Sequence, residues 1–140
     1  MHNLEYQCDA IGNVVIRKPA SLGYENRPTV VLQAHTDMVC EKNSDKGFDF
    51  ENDAIQTYID NGWVEADGTT LGADDGIGIA AALALLIDEN VAHPALEALF
   101  TVDEETGLTG AFNLGEGMVK GKYLINLDSE DEGEVFISLH

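Results

Sequence analysis

Three apolar stretches in this chain share an unusual ending. "VVLQAHTD" stops on His35 and Asp37, "LEALFTVDEE" on Asp103, Glu104 and Glu105, and "YLINLD" on Asp128. A fourth acidic pair, Asp74 and Asp75 of "GADDG", stands where a loop enters a long apolar run. Asp and Glu are poor strand formers and are seldom buried without a partner, so repeated placement at strand ends asks for a common cause. In an open α/β sheet the carboxyl ends of the strands line one crevice, which would bring these groups together. Cations are the economical reason to gather carboxylates that otherwise repel one another.

The stretches between these endings define the expected fold. Residues 13–18 (NVVIRK) and 29–35 read as strands, and residues 41–61 as a long polar surface excursion before a short strand at 63–66. From about 75 to 90 the pattern "GIGIAAALALLIDEN" is apolar nearly all round at helical length, which predicts a buried helix. A strand at 95–102, a short helix near 109–114, and strands at 122–128 and 134–139 complete the order. Strands alternating with helices predict an α/β three-layer sandwich with a largely parallel mixed sheet.

Charge and composition narrow the partners. With 26 acidic residues against 7 basic ones, the formal charge is −19. A nucleic acid or an anionic membrane would require the opposite balance, so neither is expected as a partner. No apolar run reaches membrane-spanning length, and "MHNLEYQCDA" lacks the regions of a signal peptide, so a soluble, cytoplasmic protein is expected. Cys8 and Cys40 form no short-spaced motif and are expected to be free thiols. At 140 residues the chain is long enough for one domain or part of one.

Each acidic ending also has a plain structural reading. His35 could be a hydrogen-bonded residue at a strand end, Asp74 and Asp75 could be helix caps, Glu104 and Glu105 a solvated turn, and Asp128 part of an acidic loop. Taken together and in this order, however, "HTD", "TTLGADDGIGIAAALALL", "TVDEETGLTGAFNL" and "INLDSEDEGEVFIS" resemble the catalytic domain of the M20 family of di-zinc metallopeptidases. The stretches "CDAIGNVVIRKPAS" and "WVEADGTTLGADDGIG" extend the likeness to its aminoacyl-histidine dipeptidase branch and across nearly the whole chain.

The resemblance implies a zinc-peptidase-like catalytic domain that hydrolyses dipeptides, including Xaa-His. It implies two zinc ions, with manganese or cobalt as alternatives, and a small peptide as substrate. His35 and Asp128 would hold one ion, Asp74 would bridge the two, and Glu105 would hold the second. Asp37 would hydrogen-bond the other imidazole nitrogen of His35, fixing its tautomer. Glu104 would be the general base, taking a proton from the attacking water and passing one to the departing amine. A cis peptide between Asp74 and Asp75 is implied as well.

Full-length family members carry further elements before this region, a lid or dimerisation domain after it, and a last histidine ligand later still. The remaining histidines here, His2, His93 and His140, do not fit that last position. The expectation is therefore a partial catalytic domain, residues 1–140, whose longer parent is a homodimer and which alone is inactive or weak. A related aminopeptidase, an N-acyl-amino-acid hydrolase, or a non-catalytic fragment are the alternatives.

Overall fold

A computed structural model describes residues 3–129 together with Gly133 and Ile137. Its strands are β1 (Glu5–Cys8), β2 (Val14–Lys18), β3 (Val30–His35), β4 (Thr57–Asp60), β5 (Trp63–Ala66), β6 (Leu96–Thr101) and β7 (Tyr123–Asn126). The helices are α1 (Ala73–Ile87), between β5 and β6, and the short α2 (Thr109–Phe112) after β6. Apart from Ile137, the strand expected at 134–139 lies outside the described residues, as do His2 and His140.

Five strands form one mixed sheet in the order β1-β2-β6-β3-β7. The two pairings on the β1 side are antiparallel, whereas β6, β3 and β7 run parallel, with Val30 opposite both Leu96 and Tyr123. β6 is buried along its whole length and β3 at four of six positions, which explains why both read as nearly unbroken apolar runs. Because neighbouring residues point to opposite faces, Leu32, Ala34, Leu96, Ala98 and Phe100 meet Ala82 and Leu86 of α1 on one face. The other face is covered by the segment at 115–121, where Met118 is buried and its carbonyl accepts a hydrogen bond from Arg17.

α1 departs from the all-round burial expected of it. Only Asp75, Gly78, Ala82 and Leu86 are buried, a single stripe at three- and four-residue spacing, while Ile77 is 72% and Ile87 50% exposed. The strands it packs against are β3 and β6, on one side of the helix, and they cover one stripe. Regular helix starts after Asp75, because Asp74 (φ −87°, ψ 110°) and Asp75 (φ −109°, ψ 38°) are not helical.

Two further elements went unforeseen. The polar excursion at 41–61 ends in β4, which pairs with β5 in a separate two-stranded sheet, Asp60 opposite Trp63. Asn61 (φ 48°) and Gly62 (φ 87°) make the two-residue turn, and an Asn-Gly pair at such a turn was the available signal. β1 is an edge strand exposed at every position, so it carries no apolar alternation to read. Among the described residues, no helix is long and apolar enough to cross a membrane.

Candidate metal centre

Parallel pairing of β6, β3 and β7 places the carboxyl ends of these three strands side by side, so the residues that follow them emerge at one end of the sheet. His35, the last residue of β3, is 1% exposed and is the pivot of the cluster. Its Nε2 lies 3.0 Å from Asp74 Oδ1 and 3.8 Å from Asp128 Oδ2. Ligating atoms of His35, Asp74 and Asp128 all fall within 4.8 Å of one another, and those of His35, Glu104 and Glu105 form a second such group. The four expected metal ligands are thus gathered around one imidazole, as is Glu104.

Asp74 and Asp75 divide the two readings of the acidic pair between them. Asp75 is buried, and its Oδ1 accepts the amide of Gly78 at 3.1 Å, the bond of a helix cap. Its Oδ2 takes the amide of His35 at 3.3 Å, tying α1 to the end of β3. No side chain fits at Gly78, where a Cβ would stand 2.3 Å from Asp75 Oδ1. Asp74, 71% exposed along its side chain, turns instead toward the imidazole. The peptide bond joining the two aspartates is cis.

Asp37 meets His35 differently from the expected carboxylate–imidazole bond. The nearer partner of His35 Nδ1 is the backbone carbonyl of Asp37 at 3.0 Å, with the carboxylate Oδ1 at 3.5 Å. A carbonyl only accepts, so Nδ1 carries a hydrogen there and Nε2 is the nitrogen facing Asp74 and Asp128. The Asp37 carboxylate accepts the amides of Glu104 and Glu105, each at 3.1 Å. One aspartate therefore sets the imidazole with its backbone and the glutamates with its side chain, a division that residue spacing does not reveal.

The electrostatics follow from this crowding. Burial works against a charged His35, but its hydrogen bond to Asp74 and the charges of Asp128, Asp37 and Asp74 prevail and raise its pKa. Burial also raises Glu104, joined by the charges of Asp128, Glu105 and Asp37, with His35 opposing. Asp75 is raised by burial and by Asp128 against the amides of Gly78 and His35. For Asp37 burial pushes upward, and the amides of Glu104 and Glu105 outweigh it, so its carboxyl stays below the ordinary value. One imidazole nitrogen among several carboxylate oxygens is the mixed donor set that zinc, manganese and cobalt accept.

His93, by contrast, sits at the opposite end of the strands. It is buried, its ring Nδ1 lies 2.7 Å from the Pro94 carbonyl, and its backbone pairs with Ser21. It takes no part in the cluster, as its place in the sequence implies.

Known proteins resemble this chain over most of its length. The chain is 58% identical over 129 residues to the cytosol non-specific dipeptidase of Escherichia coli (strain K12), covering 92% of this chain and 27% of that protein. Its fold matches the crystal structure of aminoacylhistidine dipeptidase from Vibrio alginolyticus with a TM-score of 0.88 and 55% identity, over 93% of this chain and 26% of that one. Aminopeptidase PepT from Bacillus cereus matches with a TM-score of 0.72 and 30% identity, over 91% and 34%. The chain thus spans about a quarter of the length of the two dipeptidases. The sequence model described as Peptidase family M20/M25/M40 matches residues 31–140, from the second residue of β3 through every group in the cluster, and the chain belongs to that family.

Proposed function

We propose that this chain is the metal-holding part of a peptidase catalytic domain that hydrolyses dipeptides, Xaa-His among them, with two divalent ions, zinc foremost and manganese or cobalt as alternatives. The observation that carries the reading is the convergence of Asp74 and Asp128, and of Glu104 and Glu105, on the one imidazole of His35; within it Glu104 is read as the base and the others as ligands. His35 and Asp128 would hold one ion, Glu105 the other, and Asp74 both. When bound, such a pair supplies Lewis acidity toward a peptide carbonyl and makes water acidic enough to be deprotonated near neutral pH.

The remaining work falls to this chain's own groups. Glu104 takes the proton of the attacking water and returns one to the departing amine nitrogen. Asp37 holds the amides on both sides of Glu104, its own and that of Glu105, so the base is presented from a fixed backbone. His35 keeps its Nδ1 hydrogen on the Asp37 carbonyl, which leaves Nε2 free to donate its lone pair. In this reading a longer polypeptide supplies the last histidine ligand and a lid or dimerisation domain, forms a homodimer and works in the cytoplasm, as the name of the Escherichia coli relative suggests. The likeness to aminopeptidase PepT favours a second reading, removal of N-terminal residues from longer peptides.

An assay of the longer polypeptide beside the 140-residue chain tests this. The longer protein should cleave a Xaa-His dipeptide, lose that activity to a chelator, and regain it with zinc, manganese or cobalt. The 140-residue chain should turn over far more slowly, since this reading assigns the lid that excludes water and holds substrate to the longer polypeptide. Activity indifferent to chelation would refute the metal reading, comparable turnover by both proteins would refute the partial-domain reading, and preference for longer peptides would establish the aminopeptidase.

A further inference from the structure

The loop that carries Glu104 and Glu105 is not a conformation its own residues prefer. Asp103 (φ 55°) and Leu108 (φ 57°) are left-handed without being glycine, and Gly107 has φ 153°. Such residues persist where the surroundings hold them. On the side of the imidazole, Asp37 does this by accepting the amides of both glutamates. What holds the loop on its other side is a residue that the chemistry described above does not use.

That residue is Asn13, immediately before β2 and fully buried. The loop closes at its neck where the amide of Gly110 meets the carbonyl of Val102 at 3.0 Å. Asn13 spans this neck with its side chain: Nδ2 donates to the Gly110 carbonyl at 2.8 Å, and Oδ1 accepts the Val102 amide at 3.1 Å. The second Nδ2 hydrogen goes to Asp9 Oδ2 at 2.9 Å. Reversing the amide would set an NH2 group against the Val102 N–H and an oxygen against both the Gly110 carbonyl and the Asp9 carboxylate, so only one orientation works.

Asp9 is itself fixed. Its carboxylate accepts the amides of Ile11, Gly12 and Asn13 at 3.1, 3.0 and 2.9 Å, and that of Gly115 at 3.1 Å. Burial opposes its charge, yet the bonds from Asn13, Gly115 and Gly12 keep its carboxyl below the ordinary value. Nor does the neck have slack: a Cβ on Gly110 would lie 2.3 Å from the Val102 carbonyl oxygen and 2.5 Å from Asn13 Oδ1.

We propose that Asn13, oriented by Asp9, is a positioning residue for the glutamate loop: by bridging Val102 and Gly110 it sets where Glu104 and Glu105 stand relative to His35. The inference rests on the roles given to those glutamates above. It assigns to the turn between β1 and β2, two strands away from β3 in the sheet, control over groups that it never touches.

Backbone hydrogen exchange and zinc titration on wild type and Asn13→Ala distinguish positioning from plain structural support. The amides of residues 102–110 should exchange about tenfold faster or more, the consequence of losing one or two buried hydrogen bonds. Exchange in α1 and in β3 should be unchanged, and zinc should bind more weakly. Asn13→Asp keeps the acceptor but loses the donors, and should not restore the loop. If Asn13→Ala does not fold, Asp9→Asn carries the same test, since it retains the turn and removes the charge that orients the amide. Uniform acceleration across the sheet, or none in the loop, would overturn the proposal, and so would local acceleration with zinc affinity unchanged. Should wild type take up no zinc, the metal reading fails by itself, and exchange at Glu104 and Glu105 decides this one.

Discussion

Glu104→Gln is expected to lower kcat of the longer enzyme by about 10²–10⁴-fold, the usual contribution of a positioned general base, while leaving metal content unchanged. Glutamine matches glutamate in shape, and the contact that places residue 104, its amide on Asp37, is made by the backbone and survives the change. What is lost is the ability to take a proton. Burial and the neighbouring charges of Asp128, Glu105 and Asp37 already raise the affinity of Glu104 for one. Steady-state kinetics with a dipeptide, paired with metal analysis of the same sample, reads both quantities. A variant that keeps wild-type kcat would remove Glu104 from the mechanism; one that loses its metal would make it a ligand rather than the base.

The largest effect on stability is expected far from the metal centre. Glu97 stands in the middle of β6, opposite Arg17 of β2, and is 2% exposed. Its Oε1 accepts Arg17 Nε at 3.1 Å, and its Oε2 accepts the amides of Lys120 and Gly121, both at 2.8 Å. Glu97→Ala would leave a mostly buried guanidinium and two amides without their acceptor. Removing one member of a buried ion pair costs about 3–5 kcal/mol, and denaturant unfolding should show a loss of that size. Glu97→Gln, which keeps an oxygen for the amides, should lose less. A loss under about 1 kcal/mol for the alanine variant would mean that Arg17 finds other partners, the Met118 carbonyl at 2.6 Å and Glu5 at 3.2 Å being the nearest at hand. The amides that Glu97 holds also lie just before β7, the strand that leads to Asp128.

These two residues show where sequence reading succeeds and where it stops. Glu104 was legible as a candidate because it follows an apolar run, as were His35, Glu105 and Asp128, and Asp74 because it stands where a loop enters α1; the role given to each came only with the family resemblance. Burial on both faces makes β3 and β6 continuous apolar runs, so a polar ending stands out there. Glu97 breaks such a run from within. Its reason is a partner 80 residues away, which no local pattern displays. Asn13 is the same case, paired with Gly110 across 97 positions. The division of labour between Asp74 and Asp75 depends on backbone angles at the start of α1, which composition does not carry. α1 misled in the opposite direction: apolar side chains record what a helix can cover, not what lies beside it. The hairpin of β4 and β5 was missed for want of reading Asn61-Gly62 as a turn between two short strands.

The central claim is that this chain is built around a metal site pivoting on His35, and calorimetric titration with zinc tests it most directly. Wild type should take up zinc, and His35→Ala should weaken that uptake by about 100-fold or more, since the change removes the imidazole on which both groups of carboxylates converge, and even a supporting partner of a ligand is worth 10–100-fold. Equal zinc affinity in wild type and His35→Ala would contradict the account.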